Sequence, residues 1–159
     1  MHKFMRDYSK TREERTGWRD EKLSRRHREW GFNCPAIDID FIMIEYNTGI
    51  PVALIDYKRY TGSLRNLSQQ SIKAISILAD NSKIPFFVVY YWDNPWAFKV
   101  KPINSYAEES LKQSKFASKD RVLSEQEFVR FLYELRNIKL NEQEEKIISR
   151  LNYLPPDNL

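Results

Sequence analysis

Four charged side chains near the start of the chain have the types and spacing that phosphate-ester chemistry uses. Asp38 and Asp40 are two apart, and so are Asp56 and Lys58. In an extended strand, residues two apart share a face. Antiparallel neighbours lie about 4.8 Å apart, so two such strands would bring the carboxylates together around one ion. Alternation would turn Ile37, Ile39, Phe41 and Ile55 the other way, into the core. Charge placed in so apolar a hairpin must be paired or ligated. Mg²⁺ or Mn²⁺ meets that need, because hard cations take carboxylate and backbone carbonyl oxygens. The plainer reading of these residues is a salt-bridge network at a sheet end, which stabilises little at a surface.

The elements that would position this group can be read from pattern. Residues 36–46 are β-branched and aromatic and open with strict alternation, Asn47-Thr48-Gly49 has turn chemistry, and 51–58 returns as a strand. Trp18 to Trp30 is helix-competent, bounded by Gly17 and Gly31. Residues 61–66 are a polar loop, and Ser68 caps a helix to about Asp80 with Ile72, Ile75 and Ala79 on one face. The apolar run from Ile84 to Trp92 reads as a central strand covered on both faces. Trp96 to Ile103 alternates as a further strand, with Asp93-Asn94-Pro95 as the turn between. Residues 104–120 are polar and fit either a short helix or a lid-like loop.

Two helices with capping boxes close the chain, Ser124 with Glu127 and Asn141 with Glu144. Phe128, Phe131, Leu132 and Leu135 form the packing stripe of the first, and Ile147, Ile148 and Leu151 that of the second. The expected fold class is mixed α/β: a small central mixed sheet flanked by helices, with a C-terminal helical pair over 121–154.

With 159 residues the chain suits one domain, 1–159, with a polar basic arm over 1–16. Aromatic content of 14% and only four glycines exclude a disordered chain or fibrous repeat. No apolar run approaches the ~20 residues of a membrane span, and no apolar stretch follows the basic start. The expectation is a cytoplasmic protein with no membrane partner. The single cysteine, Cys34, excludes an internal disulfide and a cysteine-based zinc site. Residues 1–30 hold ten Lys/Arg and six Asp/Glu; the other 16 basic and 16 acidic residues cancel. The whole +4 surplus lies in that first segment, as in many polyanion-binding proteins, although a solvated mixed-charge helix has the same composition.

Asp40, then a turn, then Asp56-Tyr57-Lys58 after the apolar run Val52-Ala53-Leu54-Ile55 is similar to the motif of the PD-(D/E)XK nuclease superfamily, the restriction-endonuclease-like proteins. Pro35-Ala36-Ile37-Asp38-Ile39-Asp40 stands for its first half. The order of helix, hairpin, helix and strand also fits, over residues 20 to 92. Arg19-Asp20, Ser24, His27-Arg28, Asp38-Ile39-Asp40-Phe41 and Ala53 to Lys58 resemble a group of small, often phage-encoded members. Two departures are visible: no Pro-Asp dipeptide is present, and Asp56 stands where Glu is commoner. Which of Asp38 and Asp40 is the principal ligand therefore stays open.

The resemblance implies a metal-dependent nuclease hydrolysing DNA phosphodiester bonds in a host cytoplasm. Asp40 and Asp56, with the Tyr57 carbonyl and Asp38, would hold Mg²⁺ or Mn²⁺, and Lys58 would orient water and neutralise developing charge. An acidic residue on the preceding helix often completes such sites, here Glu21 or Glu29, with Glu21 favoured. Arg19, Ser24, Arg25, Arg26, His27 and Arg28 are candidate DNA contacts, with Lys73, Lys99 and Lys101 extending the surface. Gln69 or Gln70 would orient a nucleotide or water, or lie on a solvated helix face. Tyr91, Trp92 and Trp96 would stack on unpaired bases or pack at a sheet edge. Many duplex-cutting nucleases are dimers, so a homodimer is one expectation, though no residue encodes it. The alternative function is a catalytically inactive module of the same fold that binds nucleic acid or protein.

Overall fold

The computed structural model describes residues 26, 39–45, 47–60, 69–137 and 139–151. Contacts divide the chain into two compact units, Met1–Asp38 and Ile39–Leu159. Of the first unit only Arg26 is described, helical and exposed. The expected arm over 1–16 and nearly all of the expected helix over 18–30 lie outside the described residues.

The second unit is mixed α/β: its described residues form a five-stranded mixed sheet with four helices. Strands β1 (Phe41–Ile44), β2 (Pro51–Arg59), β3 (Phe86–Asp93), β4 (Trp96–Pro102) and β5 (Val122–Ser124) lie side by side in chain order. All neighbours are antiparallel except β2 and β3, which are parallel. A parallel step needs a crossover, and α1 (Gln69–Asn81) supplies it. The remaining helices are α2 (Ser105–Gln113), α3 (Glu125–Leu135) and α4 (Glu142–Arg150).

As its unbroken apolar sequence anticipates, β3 is central and buried on both faces. Phe87 and Val89 join Ile55, Phe98, Val100, Leu123, Phe128 and Phe131 under α2 and α3. Phe86, Val88 and Tyr90 join Leu54 with Ile75 and Ala79 of α1. In β4, Phe98 and Val100 face the first cluster, and alternation turns Lys99 and Lys101 toward the α1 side.

The β1–β2 hairpin forms about the expected turn, with Gly49 at φ +69°. The Glu45 carboxylate binds the turn, accepting from the Asn47 amide at 3.1 Å and the Thr48 amide at 2.7 Å. Strand β1 runs only from Phe41 to Ile44, inside the expected 36–46, and Asp40 lies in a bend; residues 36–38 and 46 lie outside the described residues. The bend interrupts alternation. Ile55 is buried as expected, but Phe41 is 38% exposed and packs edge-on against Tyr57, while Ile39 joins the α1-side cluster.

Residues 104–120 contain a helix, α2, whose N-cap Asn104 accepts from the Ala107 amide. The strand β5 was not expected. Its three residues pair with Ala97 to Lys99, and Leu123 is fully buried. Both expected capping boxes form, at Ser124/Glu127 and Asn141/Glu144. In α4 the apolar stripe is thinner than expected: Ile148 is buried, but Ile147 is 58% exposed. Arg130 ties α3 to α4 through two bonds to Glu145, at 2.6 and 2.7 Å. Among the described residues no helix is long and apolar enough to cross a membrane.

Candidate active site

The hairpin brings two carboxyls together. Phe41 pairs with Ile55 and Ile42 with Leu54; Asp40 lies in the bend just before β1, and its carboxyl meets that of Asp56 through a side-chain hydrogen bond. Asp56 is two residues from Leu54 of the α1-side cluster and so stands on that face of the sheet. The Tyr57 amide, which a longer β1 would have engaged through its backbone, donates instead to Asp40 Oδ2 at 3.1 Å. This bond fixes Asp40 against β2 just where the strand gives way to the bend.

Asp56 is 9% exposed, the one buried charged residue among those described. Lys58 Nζ lies 3.1 Å from Asp56 Oδ2, with its own side chain 39% exposed. The ammonium therefore touches both the buried acid and solvent. Burial is the first cause pushing the Asp56 carboxyl up to about 6; hydrogen bonding to Asp40 pushes the same way, and Lys58 opposes both.

Tyr57 points its ring away from this group. It stacks edge-on with Phe128 at 6.2 Å in the opposite cluster, and burial raises its hydroxyl to about 12. Only its backbone belongs to the site. Its N–H faces β1, and in a strand the carbonyl of the same residue faces the same way, outside the β2–β3 ladder.

Two sheet rows extend from these residues. The β2–β3–β4 register aligns Asp56 with Val88 and Lys101, and Lys58 with Tyr90 and Lys99. The Tyr90 hydroxyl is pushed up chiefly by burial; the charge of Lys58 lowers it and that of Asp56 raises it. Tyr90 was missed in the sequence reading, since nothing local in sequence reveals that β3 lies parallel to β2.

The donors gathered here are two carboxylates, with a backbone carbonyl at their margin. This oxygen-only set suits a hard divalent cation and no softer metal. Among the described residues no group of three acidic, His or Cys side chains gathers. Asp38, Glu21 and Glu29, the expected further carboxylates, lie outside the described residues.

Arg19, Ser24, Arg25, His27 and Arg28 lie outside them too, and Arg26 belongs to the first unit. Gln69 and Gln70 open α1; Gln70 is exposed and makes no bond to Asp40, Asp56 or Lys58. Lys73 and Lys101 are exposed, and Lys99 lies 3.9 Å from Asp120. Tyr91 and Trp96 pack on the α2–α3 side, in the role of sheet packing. No family model matches the chain, and neither a curated protein nor a solved structure matches it.

Proposed function

We propose that the chain is a metal-dependent nuclease that hydrolyses DNA phosphodiester bonds on a restriction-endonuclease-like core. One observation carries the reading: the carboxyls of Asp40 and Asp56 are held within hydrogen-bond reach of each other, with the Lys58 ammonium 3.1 Å from Asp56. A buried carboxylate facing a second carboxylate, with one ammonium between solvent and acid, costs stability that a sheet has no need to spend. A divalent cation offsets that cost. The antiparallel β1 beside β2–α1–β3 agrees with the element order that the resemblance implies.

Asp40, Asp56 and the Tyr57 carbonyl would hold Mg²⁺ or Mn²⁺. When bound, the ion supplies Lewis-acid polarisation of the phosphate and lowers the pKa of water. Lys58 neutralises charge developing on the phosphate oxygens and orients the attacking water. The Tyr57 amide keeps the Asp40 carboxylate oriented, and the buried position of Asp56 strengthens every local electrostatic interaction.

A second reading, a module that binds nucleic acid or protein without hydrolysis, is favoured by the gathering of only two carboxylates among the described residues. One comparison separates the two. Purified protein is incubated with plasmid and single-stranded DNA in Mg²⁺ or Mn²⁺, beside an Asp56→Ala/Lys58→Ala variant. Cutting by the wild type alone supports the nuclease; equal cutting by both marks contamination. No cutting of any substrate, together with no heat of Mn²⁺ binding in calorimetry, leaves the binding module.

A further inference from the structure

The geometry points to Tyr60 and Trp92 as a stacking platform for an unpaired nucleobase, so that the strand offered to Asp40, Asp56 and Lys58 is single-stranded DNA or an unpaired end rather than continuous duplex. The inference names a substrate class and rests on the nuclease reading above.

Tyr60 follows β2 directly, and its amide donates to the Tyr91 carbonyl at 2.9 Å, extending the β2–β3 ladder by one residue. Alternation therefore puts Tyr60 on the face of Asp56 and Lys58, about 6.6 Å beyond Lys58 along the strand. Trp92 stands beside it, with ring centroids 4.6 Å apart and planes inclined at 39°. Both side chains are half-buried. Tyr60 touches the α1-side cluster at its margin, while Trp92 belongs to neither buried cluster.

The same row continues through Ala97 to Ser124, whose hydroxyl accepts from the Glu127 amide to cap α3. The row behind is Lys58, Tyr90 and Lys99. Aromatic faces beside ammonium groups are the combination that grips single strands, bases on the rings and phosphates on the cations. A continuous duplex offers base edges in its grooves and keeps base faces stacked inside. Only an unpaired strand can lay a base on Trp92 and its phosphate near Lys58 together.

The test measures fluorescence anisotropy of labelled oligodeoxythymidine and of a hairpin-closed duplex, in EDTA to prevent hydrolysis. The wild type is expected to prefer the single strand. Trp92→Ala should weaken single-strand binding about tenfold, with duplex binding unchanged and Trp92→Phe close to wild type. Equal affinity for the two DNAs, binding of neither, or an unaltered Trp92→Ala variant overturns the platform. Cleavage assays with Mn²⁺ keep the two ideas apart. Loss of selectivity with cutting intact sinks the platform and leaves the nuclease. Selective binding abolished by Trp92→Ala, with no cutting of any DNA, sinks the nuclease and leaves the platform.

Discussion

The Tyr57 amide donates to Asp40 Oδ2 across the hairpin at 3.1 Å, so the carboxylate is oriented by the neighbouring strand. Two substitutions separate this anchoring from the charge. Asp40→Asn keeps an oxygen acceptor for the amide; Asp40→Ala removes it, at about 1 kcal/mol. Urea denaturation should therefore find only the alanine variant destabilised. Calorimetry should find Mn²⁺ affinity lowered at least about tenfold in both, because both lose the anionic oxygen that a hard cation requires. Wild-type affinity in Asp40→Asn would remove Asp40 from the ligand set.

Asp56 makes the stability of the metal-free protein pH-dependent in a direction opposite to most carboxylates. Its carboxyl is pushed up from 3.8 to about 6. Between those values the folded state holds the proton more often than the unfolded state, so this group's contribution falls as pH rises through the window. Asp56→Asn mimics the protonated acid. In EDTA at about pH 7.5 it should melt several degrees above wild type, since about 1 kcal/mol moves a domain of this size by roughly 2–4 °C. The advantage should vanish near pH 4, where Asp56 is already protonated. Comparing variant with wild type cancels carboxylates of opposite sign, such as Glu45, which Thr48 lowers. A variant equal to wild type at both pH values would show that Asp56 carries no such strain.

Lys58 acts on the same acid from the other side, pulling its pKa down. Lys58→Met should move the Asp56 titration midpoint upward, followed by carboxyl-carbon NMR in the metal-free protein. It should also reduce DNA cleavage by about 10²–10³, the usual effect of removing one group that stabilises transition-state charge. An unmoved midpoint would place the ammonium away from Asp56 in solution.

The hairpin was the most legible part of the chain because its signals are local: the apolar run Val52 to Ile55 and the turn chemistry of Asn47 to Gly49. The two-sided burial of β3 was readable for a similar reason, since Phe86 to Tyr90 has no polar residue to face solvent. What escaped depends on distant partners. Strand β5 is three residues long, and Leu123 is buried only because β4 lies beside it. Tyr90 enters the site through a parallel pairing that α1 creates. The bend at Asp40 breaks the alternation expected of Ile39 because a side-chain bond to Tyr57 replaces a backbone one. Ile147 kept the helical spacing of a core residue yet stays exposed, because α4 packs through Ile148.

Asn104 secures the fold at a distance from Asp40, Asp56 and Lys58. Its Oδ1 accepts from the Phe86 amide and the Ala107 amide, each at 3.0 Å. Its Nδ2 donates to the Ile84 carbonyl at 2.9 Å and to Asp80 at 3.0 Å. One side chain, 6% exposed, thus joins the end of α1, the start of β3 and the N-terminus of α2. Asn104→Ala strands two buried amides and should cost about 2–4 kcal/mol in urea denaturation. Asn104→Asp keeps both accepted bonds but sets a carboxylate against the Ile84 carbonyl and Asp80, so it too destabilises, and less at acidic pH. Neither change touches Asp40, Asp56 or Lys58. Below their melting temperatures both variants should bind Mn²⁺ as the wild type does, and a loss of binding without unfolding would mean that β3 transmits strain into the site.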